Sequence, residues 1–278
     1  MIPRVAAIND LSGLGKCSLT AALPVLSAMG VQACPVPTAI LTNQTGFSSY
    51  EMTDYTDHMD AYVEQWQRCG LRLDGICTGF LANERQVDKI LRLIEVFRCP
   101  ETLLLVDPVM GDGGTVYDTY TDEMCQRMRL LAEAADVITP NLTEACLLAG
   151  QEYAVLTAHS EGDDYPERVA ELALRLAEPS GRRVVVTGIH HREWIYNIAV
   201  ENGRWFSERS PARSSHYSGT GDLLASVVCG GLVRGDTFAD TVALATRFLE
   251  SAIEDTPAGD PNNGVAFEPY LPMLWRDI

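Results

Sequence analysis

A chain of 278 residues with 21 Lys and Arg against 38 Asp and Glu carries a formal net charge of −17. It lacks the basic footprint with which nucleic-acid binders neutralise phosphates, although a small phosphorylated ligand stays compatible with it. The length suffices to bury a core without disulfides or a structural metal. No N-terminal stretch joins basic residues to an apolar core, and the longest apolar-leaning run, AALPVLSAMGV, is short of the roughly 20 residues that span a bilayer, so a soluble cytoplasmic protein is expected.

In chain order the first apolar run is RVAAI at 4–8, followed by a glycine-rich stretch, LSGLGK at 11–16, that opens a helix. A P-loop needs G-x-x-x-x-G-K-[S/T], yet Asp10 stands at the first glycine and Cys17 at the hydroxyl. A dinucleotide fingerprint also fails, because Gly13 and Gly15 are followed by Ser18 at the third glycine, with no acid roughly 20 residues on. Further strands are expected at VQACPVPT, DGICTGF, TLLLVDPV, DVITP and RRVVVTGI, rich in β-branched residues. Between them DHMDAYVEQWQRCG, ERQVDKILRLIEVF and DEMCQRMRLLAEAA repeat their apolar residues near the helical period. Alternating strands and helices predict an αβα sandwich on a mostly parallel sheet. Asn202-Gly203, between two alternating segments, signals a hairpin and hence an antiparallel edge. Two helices follow, from Gly221 to about Gly235 and from Phe238 to about Ile253, and with no linker or repeat the chain reads as one domain. The eight cysteines never form C-x-x-C, which favours reduced core thiols over a zinc site.

Candidate chemistry gathers at predicted strand ends and one helix start. Gly219-Thr220-Gly221-Asp222 opens an apolar helix, and free N–H groups with the positive dipole end there suit negative charge developing on a transferred phosphoryl group. Asp222 in the first turn is placed to take a proton from an attacking hydroxyl, or merely complements the dipole. Asp107 closes TLLLVDPV, Thr139-Pro140-Asn141 closes DVITP with Glu144 one turn into the next helix, and Thr187-Gly188 closes RRVVVTGI. In open α/β sheets ligands bind at such ends, though T-P-N with Glu144 is also an ordinary capping box. Together with G-T-G-D they suggest a triphosphate and magnesium, with Asp107 and Glu144 as oxygen ligands directly or through water. GDGGTVYDT would form a flap that excludes water, or a plain solvent loop. The histidines show no metal-ligand spacing, and Arg213 and His216 fit a solvated loop.

LTNQTGF (41–47), CTGF (77–80), DPVMGDGGTVY (107–117), ITPNLTEA (138–145), VVVTG (184–188) and SGTGD (218–222) resemble the ribokinase superfamily over nearly the whole chain, and within it the vitamin kinases for pyridoxal and hydroxymethylpyrimidine. DPVMGDGG with Tyr117, together with TNQTGF, is most similar to pyridoxal kinases. The first loop departs from them, since Asp10-Leu11-Ser12-Gly13 stands where many pyridoxal kinases carry Ser-His-Val and is closer to the pyrimidine kinases. The resemblance implies ATP-dependent phosphorylation of the 5′-hydroxymethyl group of a B6 vitamer, or of hydroxymethylpyrimidine. It implies Asp222 as base, Gly219, Thr220 and Gly221 as anion hole, and Ser12, Thr45 and Phe80 with Asp222 on the vitamer side. Thr139, Asn141, Thr187, Tyr117 and Gly219 would face ATP, and Asp107 and Glu144 Mg²⁺, with K⁺ as a possible second cation. A homodimer is implied as well, and a non-catalytic vitamer-binding protein would have no need of Asp222, the G-T-G turn and Glu144 together.

Overall fold

The computed structural model describes residues 2–117, 120–178, 180–213 and 217–275. The chain begins β1 (Arg4–Ser12), α1 (Ser18–Ala28), β2 (Gln32–Leu41), β3 (Met52–Asp54), α2 (Met59–Arg68), β4 (Gly75–Thr78), α3 (Glu84–Phe97) and β5 (Leu103–Val106). It continues through β6 (Gly111–Asp112), β7 (Thr115–Val116), α4 (Asp122–Glu133), β8 (Val137–Ile138), α5 (Leu142–Ala149), α6 (Tyr153–Thr157) and α7 (Tyr165–Ala177). The remainder comprises β9 (Arg183–His191), β10 (Trp194–Glu201), β11 (Arg204–Pro211), α8 (Thr220–Val233) and α9 (Phe238–Glu254), then two short 3₁₀ turns, Pro261–Asn263 and Glu268–Leu274. Two compact units divide the chain, residues 1–105 with 215–278 and residues 106–214, where the sequence carries no linker.

In the first unit the strand order is β5-β4-β1-β2-β3. β1 pairs parallel with both β2 and β4, aligning Val5 with Ala33 and Gly75. A strand covered on both faces should be apolar without alternation, and Val5, Ala6, Ala7 and Ile8 are all buried. β3 joins antiparallel to β2 only at Ala39–Leu41, so Pro35 and Pro37 fall where β2 has a single neighbour and their missing N–H groups cost little. α8 packs against α1 and α9, while α2 packs against α3.

In the second unit the order is β11-β10-β9-β8. β8 and β9 run parallel; β9, β10 and β11 are antiparallel, with Asn202 and Gly203 both at positive φ in the turn of the expected hairpin. α7, which the sequence segments above do not include, covers β9 and β10. RRVVVTGI does not end at Thr187-Gly188. β9 runs on to His191 through a bulge, with Gly188 at φ +68° and its N–H donated to the Asn197 side chain at 3.2 Å. Parallel strands with covering helices and an antiparallel hairpin are what the alternating patterns predict.

Candidate active site

The first cluster lies wholly within the first unit, where β1 ends in polar residues. Asn9 accepts from the N–H groups of Asp10 at 3.0 Å and Phe80 at 2.8 Å on its side-chain oxygen. Two donors on that oxygen fix the amide's orientation, so Nδ2 is left to donate to Asp222 Oδ1, which it does at 2.9 Å. Asp10 is buried and accepts from Ser12 Oγ at 2.8 Å and Ser18 Oγ at 2.5 Å. Ser18, the first residue of α1, has φ +52°, an uncommon conformation for a residue with a side chain. Burial pushes the Asp222 carboxyl up to about 6; the Ser18 and Asn9 donors oppose this and the nearby Asp10 charge reinforces it. A carboxylate with that affinity is mostly ionised at neutral pH and still able to take a proton.

α8 starts where the sequence places it. Gly219 precedes the first turn at φ +83°, and a Cβ added there would lie 2.0 Å from the Lys16 carbonyl oxygen. Both the left-handed backbone and the close crossing of the first loop demand glycine. LSGLGK thus supports the G-T-G-D turn with its backbone. The Lys16 ammonium meets Glu268 at 2.7 Å and lies 5.7 Å from the Phe267 ring centroid, so the lysine is committed to the C-terminal turn. Gly15, at φ +100°, leaves room for Gln44, whose amide donates to Ser218 Oγ, Asn262 Oδ1 and Asn262 O. Of the expected vitamer-side residues, Phe80 is half-buried and Thr45 exposed, whereas Ser12 is fully buried with its proton given to Asp10.

The second cluster lies within the second unit. Asn141 caps α5 and Glu144 completes the capping box, so the structural alternative for this pair holds. Glu144 does more than cap, since its Oε1 accepts from Met110 N at 3.0 Å and its Oε2 from Asn141 N at 2.8 Å. Asp107 is buried, accepting from Thr139 Oγ1 at 3.2 Å, and burial together with the Asp107 charge drives Glu144 well above the usual carboxylate range. GDGGTVY is a short hairpin, β6–β7, rather than a loose loop. Asn141 Nδ2 donates to Gly111 O, and Gly114 N donates to Thr143 Oγ1, fastening it to the start of α5. Thr187 N donates to Pro140 O at 2.9 Å, which sets Thr187 beside Asn141. Tyr117 is exposed and its N–H donates to Met110 O. Arg213 is exposed, and His216, Asp118 and Thr119 lie outside the described residues.

Asn9, Asp10, Ser18, Gln44, Asn262 and Tyr120 belong to these clusters without having been singled out from sequence. Asn9-Asp10 carried the signal already used for Asp107, polar residues closing an apolar strand. The Tyr120 hydroxyl is buried with no hydrogen-bond partner, and burial followed by the Glu144 charge raises it well above its ordinary range. Cys17, Cys146 and Cys229 are buried, as core thiols should be, but Cys69 and Cys99 are exposed. Among the described residues no helix is long and apolar enough to cross a membrane.

This combination of an α/β fold and a glycine-opened helix carrying a carboxylate defines a ribokinase-like kinase, which uses ATP. The profile of the phosphomethylpyrimidine kinase family matches residues 15–266, and the chain belongs to that family. It is 29% identical over 267 residues to the chloroplastic thiamine biosynthetic bifunctional enzyme of Arabidopsis thaliana; the match covers 91% of this chain and 47% of that enzyme, so the chain spans about half its length. Among solved structures, a Bacteroides thetaiotaomicron protein described as a phosphomethylpyrimidine kinase and crystallised with pyridoxal is 34% identical, with a TM-score of 0.90 over 99% of this chain and 96% of that one. Pyridoxal kinase from Lactobacillus plantarum is 30% identical, with a TM-score of 0.87 over 99% and 97% of the two chains.

Proposed function

We propose that the protein transfers the γ-phosphoryl group of ATP to the 5′-hydroxymethyl group of a B6 vitamer: pyridoxal, pyridoxamine or pyridoxine. The observation that carries the chemistry is Asp222, placed in the first turn of α8 with the Asn9 amide donating to its carboxylate and a proton affinity near neutrality. Asp222 takes the hydroxyl proton as the oxygen bonds to the γ-phosphorus and the bond to the departing ADP breaks. Free N–H groups of the Gly219-Thr220-Gly221 turn receive the negative charge carried by the transferred group. Ser12, Thr45 and Phe80 are assigned to the ring, and Thr139, Asn141, Thr187, Tyr117 and Gly219 to the nucleotide.

Magnesium fits the second cluster in its donor chemistry. Asp107 and Glu144 are hard oxygen donors whose mutual repulsion a divalent cation relieves, and magnesium keeps several waters when few protein ligands are offered. No group of three or more His, Cys, Asp or Glu suited to a metal occurs among the described residues, so an ion here would draw the rest of its oxygens from phosphate and water. When bound, the ion neutralises charge on the phosphates. Glu144, with each oxygen already accepting one backbone N–H, would hold the ion directly through a remaining lone pair or through water.

TNQTGF, DPVMGDGG and the pyridoxal-bearing Bacteroides relative favour the B6 ring. The second choice, hydroxymethylpyrimidine or its phosphate, is favoured by Asp10-Leu11-Ser12-Gly13 and by the family match. An ATP-coupled assay with magnesium across the three vitamers and hydroxymethylpyrimidine tests the assignment: a kcat/KM for a vitamer at least about tenfold above the pyrimidine supports it, and the reverse order assigns the thiamine-pathway substrate. A cytoplasmic homodimer is part of the same proposal, to be checked by sedimentation.

A further inference from the structure

The pairing of β1 with β4 ends one residue before Asn9. Ile8 is aligned with Thr78 and its carbonyl still accepts from Gly79 N at 2.8 Å, but the next link is made by a side chain, with Phe80 N donating to Asn9 Oδ1 at 2.8 Å. Asn9 is buried, and Gly79 makes room for it, since a Cβ there would lie 2.3 Å from Asn9 Nδ2. Phe80 is held on its other side as well. Its carbonyl accepts from the buried Thr38 Oγ1 at 2.9 Å, and Gln86 Nε2 donates to Thr38 O at 2.7 Å. Both polar backbone groups of Phe80 therefore rest on side chains, one of which is Asn9.

The other end of the same amide, Nδ2, donates to Asp222 Oδ1 at 2.9 Å. A side-chain amide is planar, so its donor and acceptor ends move together, and the position of the Phe80 N–H is tied to the rotation of the Asp222 carboxylate. A general base acts only when its oxygen stands within hydrogen-bond reach of the proton it takes, and a misplacement of about 1 Å costs about 10²-fold in rate. Resting on the proposal that Asp222 is the base and Phe80 lies beside the ring, we infer that Asn9 is a positioning residue, its amide nitrogen fixing the Asp222 carboxylate and its oxygen fixing the Phe80 backbone, so that base and ring contact keep one geometry. The task calls for asparagine. Its oxygen takes the N–H groups of both Asp10 and Phe80 while its nitrogen still donates to a carboxylate; an ionised aspartate has no donor, and serine has one oxygen for both duties.

The test separates the two ends of the amide. Kinetics are run with whichever vitamer or pyrimidine the wild type phosphorylates fastest, well below each variant's melting temperature. Asn9→Asp keeps the oxygens that hold Phe80 and loses the donor; at about pH 8.5, well above the ordinary carboxylate range, kcat should fall about tenfold or more while the Kd for the ring substrate, measured by calorimetry, stays within about twofold. Asn9→Ala loses both ends, so the same fall in kcat should be joined by a Kd raised about fivefold, the scale of one lost hydrogen bond. A merely structural asparagine would lower melting temperature in both variants without this split. The link itself is read without substrate, by comparing wild type with Asp222→Asn by ¹⁵N NMR of the whole protein: the side-chain amide of Asn9 and the backbone amide of Phe80 should both shift. This comparison needs no Asn9 variant, so it stands even if Asn9→Ala does not fold. Wild-type kcat in Asn9→Asp, wild-type Kd in Asn9→Ala, or a Phe80 amide unmoved in Asp222→Asn overturns the inference. A wild-type protein inactive on every vitamer and pyrimidine would remove the proposed function, and the NMR comparison would still decide whether Asn9 couples Asp222 to Phe80.

Discussion

Gln44 donates its side-chain amide to Ser218 Oγ at 3.2 Å, tying the TNQTGF loop to the residue that precedes the Gly219 turn. The same amide reaches Asn262 Oδ1 at 3.0 Å, while its carbonyl accepts from Gly46 N at 2.7 Å. The TNQTGF loop, the Gly219 turn and the C-terminal segment of the first unit are thus held by one buried side chain. Gln44→Ala leaves these groups without their partner, and an unpaired buried polar group costs about 1–3 kcal/mol. Thermal melts should fall accordingly, and kcat should drop about tenfold as the turn loosens. A variant with wild-type melting and turnover would show that the three segments hold their places independently.

Glu144 has two tasks in the structure, capping α5 and holding Met110 at the root of the β6–β7 hairpin. Glu144→Gln keeps the shape but turns one acceptor into a donor facing a backbone N–H. It also removes the repulsion with Asp107. The magnesium concentration for half-maximal rate should rise several-fold, because a negative charge is lost near the metal's waters. Vitamer affinity without nucleotide should not change. A magnesium titration matching wild type would confine Glu144 to its structural tasks.

The parallel strands are legible because each is a short apolar run with β-branched residues, and the hairpin of β10 and β11 because Asn202-Gly203 allows positive φ at both turn positions, whereas β3, β6 and β7, of two or three residues, carry no such run. The helix at Gly219 was legible for the same local reason, glycine before an apolar run. What escaped depends on contacts far apart in the chain. Asn9 and Asp222 are separated by 213 positions, and nothing local tells that an asparagine closing β1 will serve an aspartate on α8. The strand-end rule applied to Asp107 applied equally to Asn9-Asp10, but a glycine-rich loop beside them drew comparison with phosphate motifs instead. The run RRVVVTGI predicts a strand that closes at Thr187-Gly188. Gly188 instead makes a bulge opposite Asn197, and pairing resumes at Ile189.

Lys16 and Ser12 separate two models of the first loop. A phosphate loop needs its lysine, whereas the Lys16 ammonium is paired with Glu268 on a half-exposed surface, an interaction worth about 0–1 kcal/mol. Lys16→Ala should leave KM for ATP within about twofold and lower the melting temperature slightly. Ser12 is buried with its proton on Asp10, so any bond to the vitamer ring uses its lone pairs. Ser12→Ala should weaken vitamer binding by up to about tenfold, the scale of one neutral hydrogen bond, without changing ATP affinity. Loss of ATP binding in Lys16→Ala, with vitamer binding intact in Ser12→Ala, would place phosphate at Gly13-Leu14-Gly15.

Asp222 should show its function as a cost to stability. Its carboxyl rises from 3.8 to about 6 in the folded state, so between those values the folded protein binds more protons than the unfolded chain. Stability contributed by this group is therefore full below about pH 4 and declines as pH rises to about 6, beyond which the deficit is constant. A shift of this size corresponds to at most about 3 kcal/mol, and partial exposure to solvent reduces it to about 1–2 kcal/mol. Asp222→Asn removes the ionisation while retaining an oxygen to accept from Asn9. Its melting temperature should match wild type near pH 4 and exceed it increasingly up to pH 6.5, while kcat falls by roughly 10²-fold or more and binding of both substrates persists. An aspartate that only complements the helix dipole would behave oppositely: stabilising when ionised, it would leave the asparagine variant less stable at neutral pH and nearly as active. Melting curves at pH 4 and 7, read beside turnover, therefore decide between a base held at a cost and a charge placed for the helix.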